Sequence, residues 1–174
     1  LFTGLNLISD TRKIMKKRFI LILQFLLIWS VGAEMVSGQA PATWDYHFPL
    51  DITPKVSGSF GEIRSNHFHS GLDLTTRGKT ELPVFAADRG YVSRVSVSPG
   101  GFGKALYVDH PEGYTTVYAH LKKFSPHIDS LVTSLQYEHE SFSLNATFSV
   151  GELPVSRGEV VGYSGNSGSS GGPH

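Results

Sequence analysis

From residue 83 onward the hydrophobic pattern is that of short strands. Pro83-Val84-Phe85-Ala86-Ala87, Gly90 to Val97, Lys104 to His110 and Tyr114 to His120 are rich in Val, Tyr, Thr and Ala. Such residues suit a pleated, half-buried surface. Pro99-Gly100-Gly101 and Pro111-Glu112-Gly113 read as hairpin connections, so the last three runs are expected to form an antiparallel meander. In the final run, period-2 alternation puts Tyr114, Thr116, Tyr118 and His120 on one face and Thr115, Val117 and Ala119 on the other. The second set is small and apolar and is expected to face the core. The first is then expected to line a polar groove.

Between residues 121 and 154 the pattern changes period. Ile128, Leu131, Val132 and Leu135 recur at helical spacing after Ser125-Pro126, a proline tolerated in a first turn. A short helical insertion is expected around 126–138. Ser141 to Phe148 alternates like an edge strand, and Pro154 to Tyr163 returns to strand and turn. The chain then runs Ser164-Gly165-Asn166-Ser167-Gly168-Ser169-Ser170-Gly171-Gly172-Pro173-His174, which reads as a flexible polar loop ending on a histidine. The fold class expected is mainly β, with antiparallel sheets forming a groove.

Ahead of this region the pattern is different in kind. Met15 is followed by Lys16-Lys17-Arg18 and by an apolar run from Phe19 to Val31, then by small residues at Gly32, Ala33, Ser37, Gly38 and Ala40. A basic head, an apolar core too short for a membrane span and a small-residue exit make residues 15–38 an expected export signal. Cleavage after Ala33 or Gly38 fits, and residues 1–14 read as an upstream extension. Residues 39–56, rich in proline and aromatics, are expected to be an extended lead-in to a domain over 57–174. The protein is therefore expected outside the cytoplasm, in the periplasm, the cell envelope or the medium.

Composition narrows the chemistry. The 174 residues include 15 basic and 15 acidic side chains, and this balance gives no reason to expect nucleic acid as a partner. Cysteine is absent. Disulfides, thiolate ligands and a cysteine nucleophile are thereby excluded, and any hydrolytic chemistry must come from His, Asp, Glu and Ser.

The densest group of such residues is Asn66-His67-Phe68-His69-Ser70-Gly71-Leu72-Asp73-Leu74. Imidazole nitrogen with carboxylate oxygen suits zinc. Fully extended, residues 69 and 73 would stand roughly 13 Å apart at about 3.3 Å per residue. The chain must bend to bring them together, and Gly71 is the expected bend. His120 taken by itself reads first as a hydrogen-bonded histidine at a strand end, and His127 and His139 as solvated surface residues.

Taken together, His69-x-x-x-Asp73, Tyr118-Ala119-His120-Leu121 and Ser164-Gly165-Asn166-Ser167-Gly168 with Gly172-Pro173-His174 resemble, in order and spacing, the lysostaphin/LytM-like zinc metallopeptidases. The resemblance covers roughly residues 57–174 and implies the lysostaphin-like β fold. It makes His69 and Asp73 metal ligands for Zn2+, and His120 and His174 the catalytic pair, with His174 the general base. Tyr118, Asn66 and His67 are candidate substrate contacts, His67 alternatively supporting the ligand His69.

The third ligand of that pattern, the second histidine of a His-x-His, is expected at position 176, beyond the last residue given. The 174-residue chain alone is therefore expected to hold zinc weakly and to be inactive, whereas its parent is expected to be active. The substrate implied is the peptide part of bacterial peptidoglycan, cut by an endopeptidase expected to be a monomer. An alternative is an inactive relative that binds cell wall or regulates another wall hydrolase. A lipoyl-like carrier barrel, suggested by Gly158-Glu159-Val160-Val161-Gly162, lacks the expected lysine at a hairpin tip.

Overall fold

Three strands of the expected meander carry the architecture. β4 (Gly90–Val97), β5 (Lys104–Asp109) and β6 (Thr115–Leu121) pair antiparallel in sequence order. The structure, a computed structural model, describes residues 45–65 and 67–174, so the expected export signal over 15–38 and Asn66 lie outside the described residues. Before the meander come β1 (Val56–Gly58), β2 (Asp73–Leu74) and β3 (Pro83–Phe85). After it come β7 (Lys123–Phe124), helix α1 (Pro126–Glu138), β8 (Leu144–Thr147), β9 (Pro154–Val155) and β10 (Val160–Tyr163).

The largest sheet has the order β6-β5-β4-β8, with β9 also paired to β4; a second runs β3-β10-β7, and β1 pairs with β2. The fold is mainly β and antiparallel, with one short helix among the described residues. Residues 45–174 make one compact unit. Its core draws Val84, Val161 and Phe124 from the smaller sheet, Val92, Val95, Leu106, Val108 and Leu121 from the larger one, and Ile128 and Val132 from α1. Each such aliphatic side chain contributes about 1.5–3 kcal/mol on burial. The lead-in is bound from Asp45 onward: His47 N donates to Ala87 O at 2.7 Å, Phe85 N to Pro49 O at 2.9 Å, and Leu50 is buried.

Helix α1 covers the residues expected of it. Pro126 opens it, Asp129 complements the positive end of its dipole, and Ile128 and Val132 are buried. The expected edge strand is β8, paired with β4 from Arg94↔Thr147 to Val97↔Leu144.

The faces of β6 are the reverse of those expected. Tyr118 is only 8% exposed, whereas Val117 is 44% exposed. The apolar rule fails because Tyr118 buries its ring and finds a partner for its hydroxyl, which accepts a hydrogen bond from Ala87 N at 2.7 Å. The ladder with β5 is also irregular between Leu106↔Tyr118 and Lys104↔Leu121. That bulge lets both Tyr118 and Leu121 point inward and leaves His120 between them, with φ of 55°. A bulge re-aims a side chain in this way and is common beside active sites. Tyr118 and His120 therefore do not line one groove together.

Candidate active site

The loop between β1 and β2 folds back on itself as an irregular hairpin. Gly61 N donates to His69 O at 2.8 Å, His69 N to Glu62 O at 2.8 Å and Arg64 N to His67 O at 2.9 Å. This hairpin delivers His69 to the start of β2, where Asp73 lies. His69 Nε2 stands 2.9 Å from Asp73 Oδ1. The expected bend does fall at Gly71, but its φ is not left-handed, and a Cβ there would meet only His69 Nε2 at 4.0 Å. Glycine is not required at that position.

His174 joins the pair, its Nε2 lying 3.5 Å from Asp73 Oδ1. His120 completes the group, with its ring centroid 5.0 Å from that of His174. Four residues drawn from a hairpin, a strand start, a bulge and the last loop thus share one site. Asn66 is outside the described residues, and His67 sits exposed at the hairpin turn. Tyr118 is committed to the core, so the substrate contact expected of it is replaced by a structural role. His127 and His139 are exposed, away from this group in sequence and on or beside α1.

The three imidazoles are held by one device. His69 Nδ1 donates to Ser59 O at 2.9 Å, His120 Nδ1 to Ser167 O at 2.8 Å and His174 Nδ1 to Gly172 O at 2.7 Å. A carbonyl can only accept, so each Nδ1 carries a proton, and a ring held this way has its lone pair at Nε2 whenever it is neutral. Between His69 Nε2 and Asp73 Oδ1 this creates a conflict, since two acceptors 2.9 Å apart repel. Either a second imidazole proton or a cation must sit there.

The donor set fits a metal in type, nitrogen and oxygen, and in second-layer support, because ligating histidines commonly give their other N–H to a carbonyl. Two ligands of a tetrahedral zinc with bonds of about 2.0 Å stand about 3.3 Å apart, close to this spacing. Among the described residues no group of three or more His, Asp or Glu is disposed to hold an ion. His69 and Asp73 are therefore a two-donor ledge.

Electrostatics supports that arrangement. Burial pushes the Asp73 carboxyl up, but the hydrogen bond from Arg64 and the charges of His174, His69 and Arg64 outweigh it and hold it below its ordinary value. Burial pushes the His120 imidazole down, aided by His174 and opposed by the Ser167 carbonyl and Asp73. His120 is thus biased to the neutral form, the one able to accept a proton.

The Gly/Ser tract that reads as a flexible loop is the second wall of the site. Ser167 Oγ accepts from Lys104 N at 2.9 Å and donates to Leu121 O at 2.8 Å, and Ser169 N donates to Gly101 O at 2.8 Å. Gly168 has φ of 73°, and a Cβ on it would stand 2.3 Å from Gly103 N. The glycines serve close backbone packing there, and the packed loop fixes the carbonyl that orients His120. Sequence reasoning missed Ser59, Ser167 and Gly172, whose carbonyls act regardless of side chain. It also missed Arg64, whose only signal was a cation five residues before His69, and Phe102, whose ring meets His120 edge-on with centroids 6.3 Å apart.

Known proteins resemble this chain in sequence and in fold. The profile of Peptidase family M23 matches residues 67–137. The chain carries a peptidase family M23 domain. An uncharacterized metalloprotease of Haemophilus influenzae is 32% identical over 133 residues, which are 73% of this chain and 23% of that protein. The DD-carboxypeptidase/endopeptidase Mpg of Neisseria meningitidis serogroup B is 30% identical over 131 residues, 72% of this chain and 24% of that protein. The chain spans about a quarter of the length of these relatives. The crystal structure of a mutant catalytic domain of the prophage-encoded M23 protein EnpA from Enterococcus faecalis aligns with a TM-score of 0.50 at 22% identity, over 75% of this chain and 81% of that one. That likeness concerns the M23 fold.

Proposed function

We propose that the M23 domain of this chain belongs to an exported zinc metalloendopeptidase that cuts peptide bonds in bacterial peptidoglycan. One observation carries the reading: three imidazoles are each tied through Nδ1 to a backbone carbonyl, two of them with Nε2 at Asp73 Oδ1 and the third, His120, with its ring 5.0 Å from that of His174. A purely structural histidine has no need of a free nitrogen. The peptide class of substrate is supported by the peptidase family and by relatives that bear metalloprotease and DD-carboxypeptidase/endopeptidase names. Export is supported by the basic head and apolar run over residues 15–38.

His69 and Asp73 would hold the zinc, with Nε2 and Oδ1. When bound there, zinc supplies Lewis-acid polarisation of a scissile carbonyl and a more acidic water. His174 takes a proton from the attacking water through Nε2 and returns it to the leaving amine. His120, biased to the neutral form, orients that water or steadies the developing negative charge. The hairpin side chains Phe60, Ile63, Phe68 and Leu72 are all more than 60% exposed and give the peptide an apolar wall to lie against.

The test is digestion of purified peptidoglycan by the whole protein, followed by identification of new amino termini. New termini that vanish with a chelator and return with zinc are expected. Digestion that ignores the chelator, or that releases sugars without new amino termini, would overturn the reading.

A further inference from the structure

The Asp73 carboxylate divides its two oxygens between different partners. Oδ1 faces His69 Nε2 at 2.9 Å and His174 Nε2 at 3.5 Å, while Oδ2 accepts from Arg64 Nη2 at 2.7 Å. Arg64 belongs to the hairpin that delivers His69, and its Nη2 also reaches Glu62 Oε2 at 3.0 Å. Its Nε is buried without a hydrogen-bond partner. A surface ion pair could have kept that nitrogen in water. Here the guanidinium is drawn inward far enough to leave one donor unsatisfied in exchange for the contact with Asp73.

The backbone makes room for this pair at one residue. Gly58 lies opposite Asp73 in the β1–β2 ladder. A Cβ on Gly58 would stand 2.4 Å from Asp73 Oδ2 and 2.5 Å from Arg64 Nη2, closer than carbon can approach either atom. Glycine here leaves the space in which carboxylate and guanidinium meet. β1, the hairpin and β2 thus combine on a single oxygen.

We propose that Arg64 is a positioning residue which, in the space left by Gly58, commits Asp73 Oδ2 to the protein so that Oδ1 alone is presented with His69 Nε2 to a metal ion. With Oδ2 occupied, the carboxylate cannot turn to chelate through both oxygens, and its plane is fixed relative to the imidazole. The inference rests on the metal-site reading above and adds the residues that set the geometry of that site.

The test is titration of cobalt(II), followed by its visible absorption, into the whole protein and its Arg64→Met, Arg64→Lys, Gly58→Ala and His69→Ala variants, with apo melting temperatures measured alongside. Loss of an outer-layer partner typically weakens metal binding by about 10–100-fold, and Arg64→Met is expected in that range with an altered cobalt spectrum. Arg64→Lys keeps the charge and recovers only part of the affinity, because a flexible ammonium does not hold its donor in the fixed plane of a guanidinium. Gly58→Ala is expected to behave like Arg64→Met.

Wild-type affinity and spectrum in Arg64→Met, with only a lowered melting temperature, would overturn the inference and leave Arg64 as an ion pair of the hairpin. If Arg64→Met fails to fold, Arg64→Lys decides: weaker binding at an unchanged melting temperature supports the proposal, and wild-type binding overturns it. Cobalt uptake that is equally absent from wild type and His69→Ala would instead overturn the metal-site reading, and this inference with it.

Discussion

Two histidines flank the course of strand β6, His110 in the turn that leads into it and His120 near its end, and the two are built for opposite purposes. At one end His110 is 5% exposed, with Nδ1 donating to Arg89 O at 2.8 Å and Nε2 lying 2.9 Å from Thr116 Oγ1. Thr116 Oγ1 is 3.1 Å from the Tyr118 hydroxyl, which accepts from Ala87 N at 2.7 Å. Protons can be assigned so that each is used once: Ala87 N–H to Tyr118, Tyr118 O–H to Thr116, Thr116 O–H to His110, and His110 Nδ1–H to Arg89 O. That chain is closed. At the other end His120 uses Nδ1 on Ser167 O, sits at a bulge with φ of 55°, and keeps Nε2 uncommitted in a ring whose centroid is 5.0 Å from that of His174. A histidine with both nitrogens engaged holds structure, and one with a nitrogen in reserve is available for chemistry.

The widest separation between the two ends is expected from paired alanine substitutions. His120→Ala in the whole protein should lower kcat by about 10²–10⁴-fold, the usual contribution of a proton-handling side chain, with little change in urea midpoint. His110→Ala should do the reverse. It leaves Thr116 and the Arg89 carbonyl short of a partner and costs roughly 1–3 kcal/mol of stability, with kcat per folded molecule unchanged. Steady-state kinetics and urea unfolding on both variants check this, and equal kinetic losses would erase the comparison.

Tyr118→Phe gives a smaller and sharper separation. The ring stays and the hydroxyl goes, so Ala87 N and Thr116 lose a partner while packing is kept. A loss of roughly 1–2 kcal/mol is expected by urea unfolding, with KM for peptide unmoved. A raised KM at full stability would return Tyr118 to the substrate groove.

That substitution also marks where the sequence stopped being a guide. Strand and helix positions follow from short-range pattern, which is why β4 to β6 and α1 lie where Val, Tyr and Gly spacing puts them. The face of β6 does not follow, because one bulge between Tyr118 and Leu121 resets the alternation. At the site, side-chain chemistry was legible: His69, Asp73, His120 and His174 are the residues the structure brings together. Their supports were not, since the carbonyls of Ser59, Ser167 and Gly172 leave no mark on residue type. The tract from Ser164 to Gly172 misled most. Its glycines read as freedom, yet Gly168 is glycine because its backbone lies against that of Gly103.

The smallest effect concerns acid. Burial lowers the His120 pKa from its ordinary 6.5, and the charge on His174 adds to this against Ser167 O and Asp73. Between the folded value and 6.5 the unfolded chain binds the extra proton and the folded one does not, so stability rises with pH across that window. The contribution is therefore complete above about pH 6.5 and is lost as pH falls toward the folded value. His120→Asn tests this without emptying the place, because its amide can still donate to the Ser167 carbonyl while carrying no titrating group. In urea unfolding of the metal-free chain at pH 7.5 and 5.5, the variant is expected to lose less stability on acidification than the wild type. An unchanged difference between the two pH values would mean that His120 is no more reluctant to take a proton than a histidine in water, and would remove the electrostatic half of the contrast along β6.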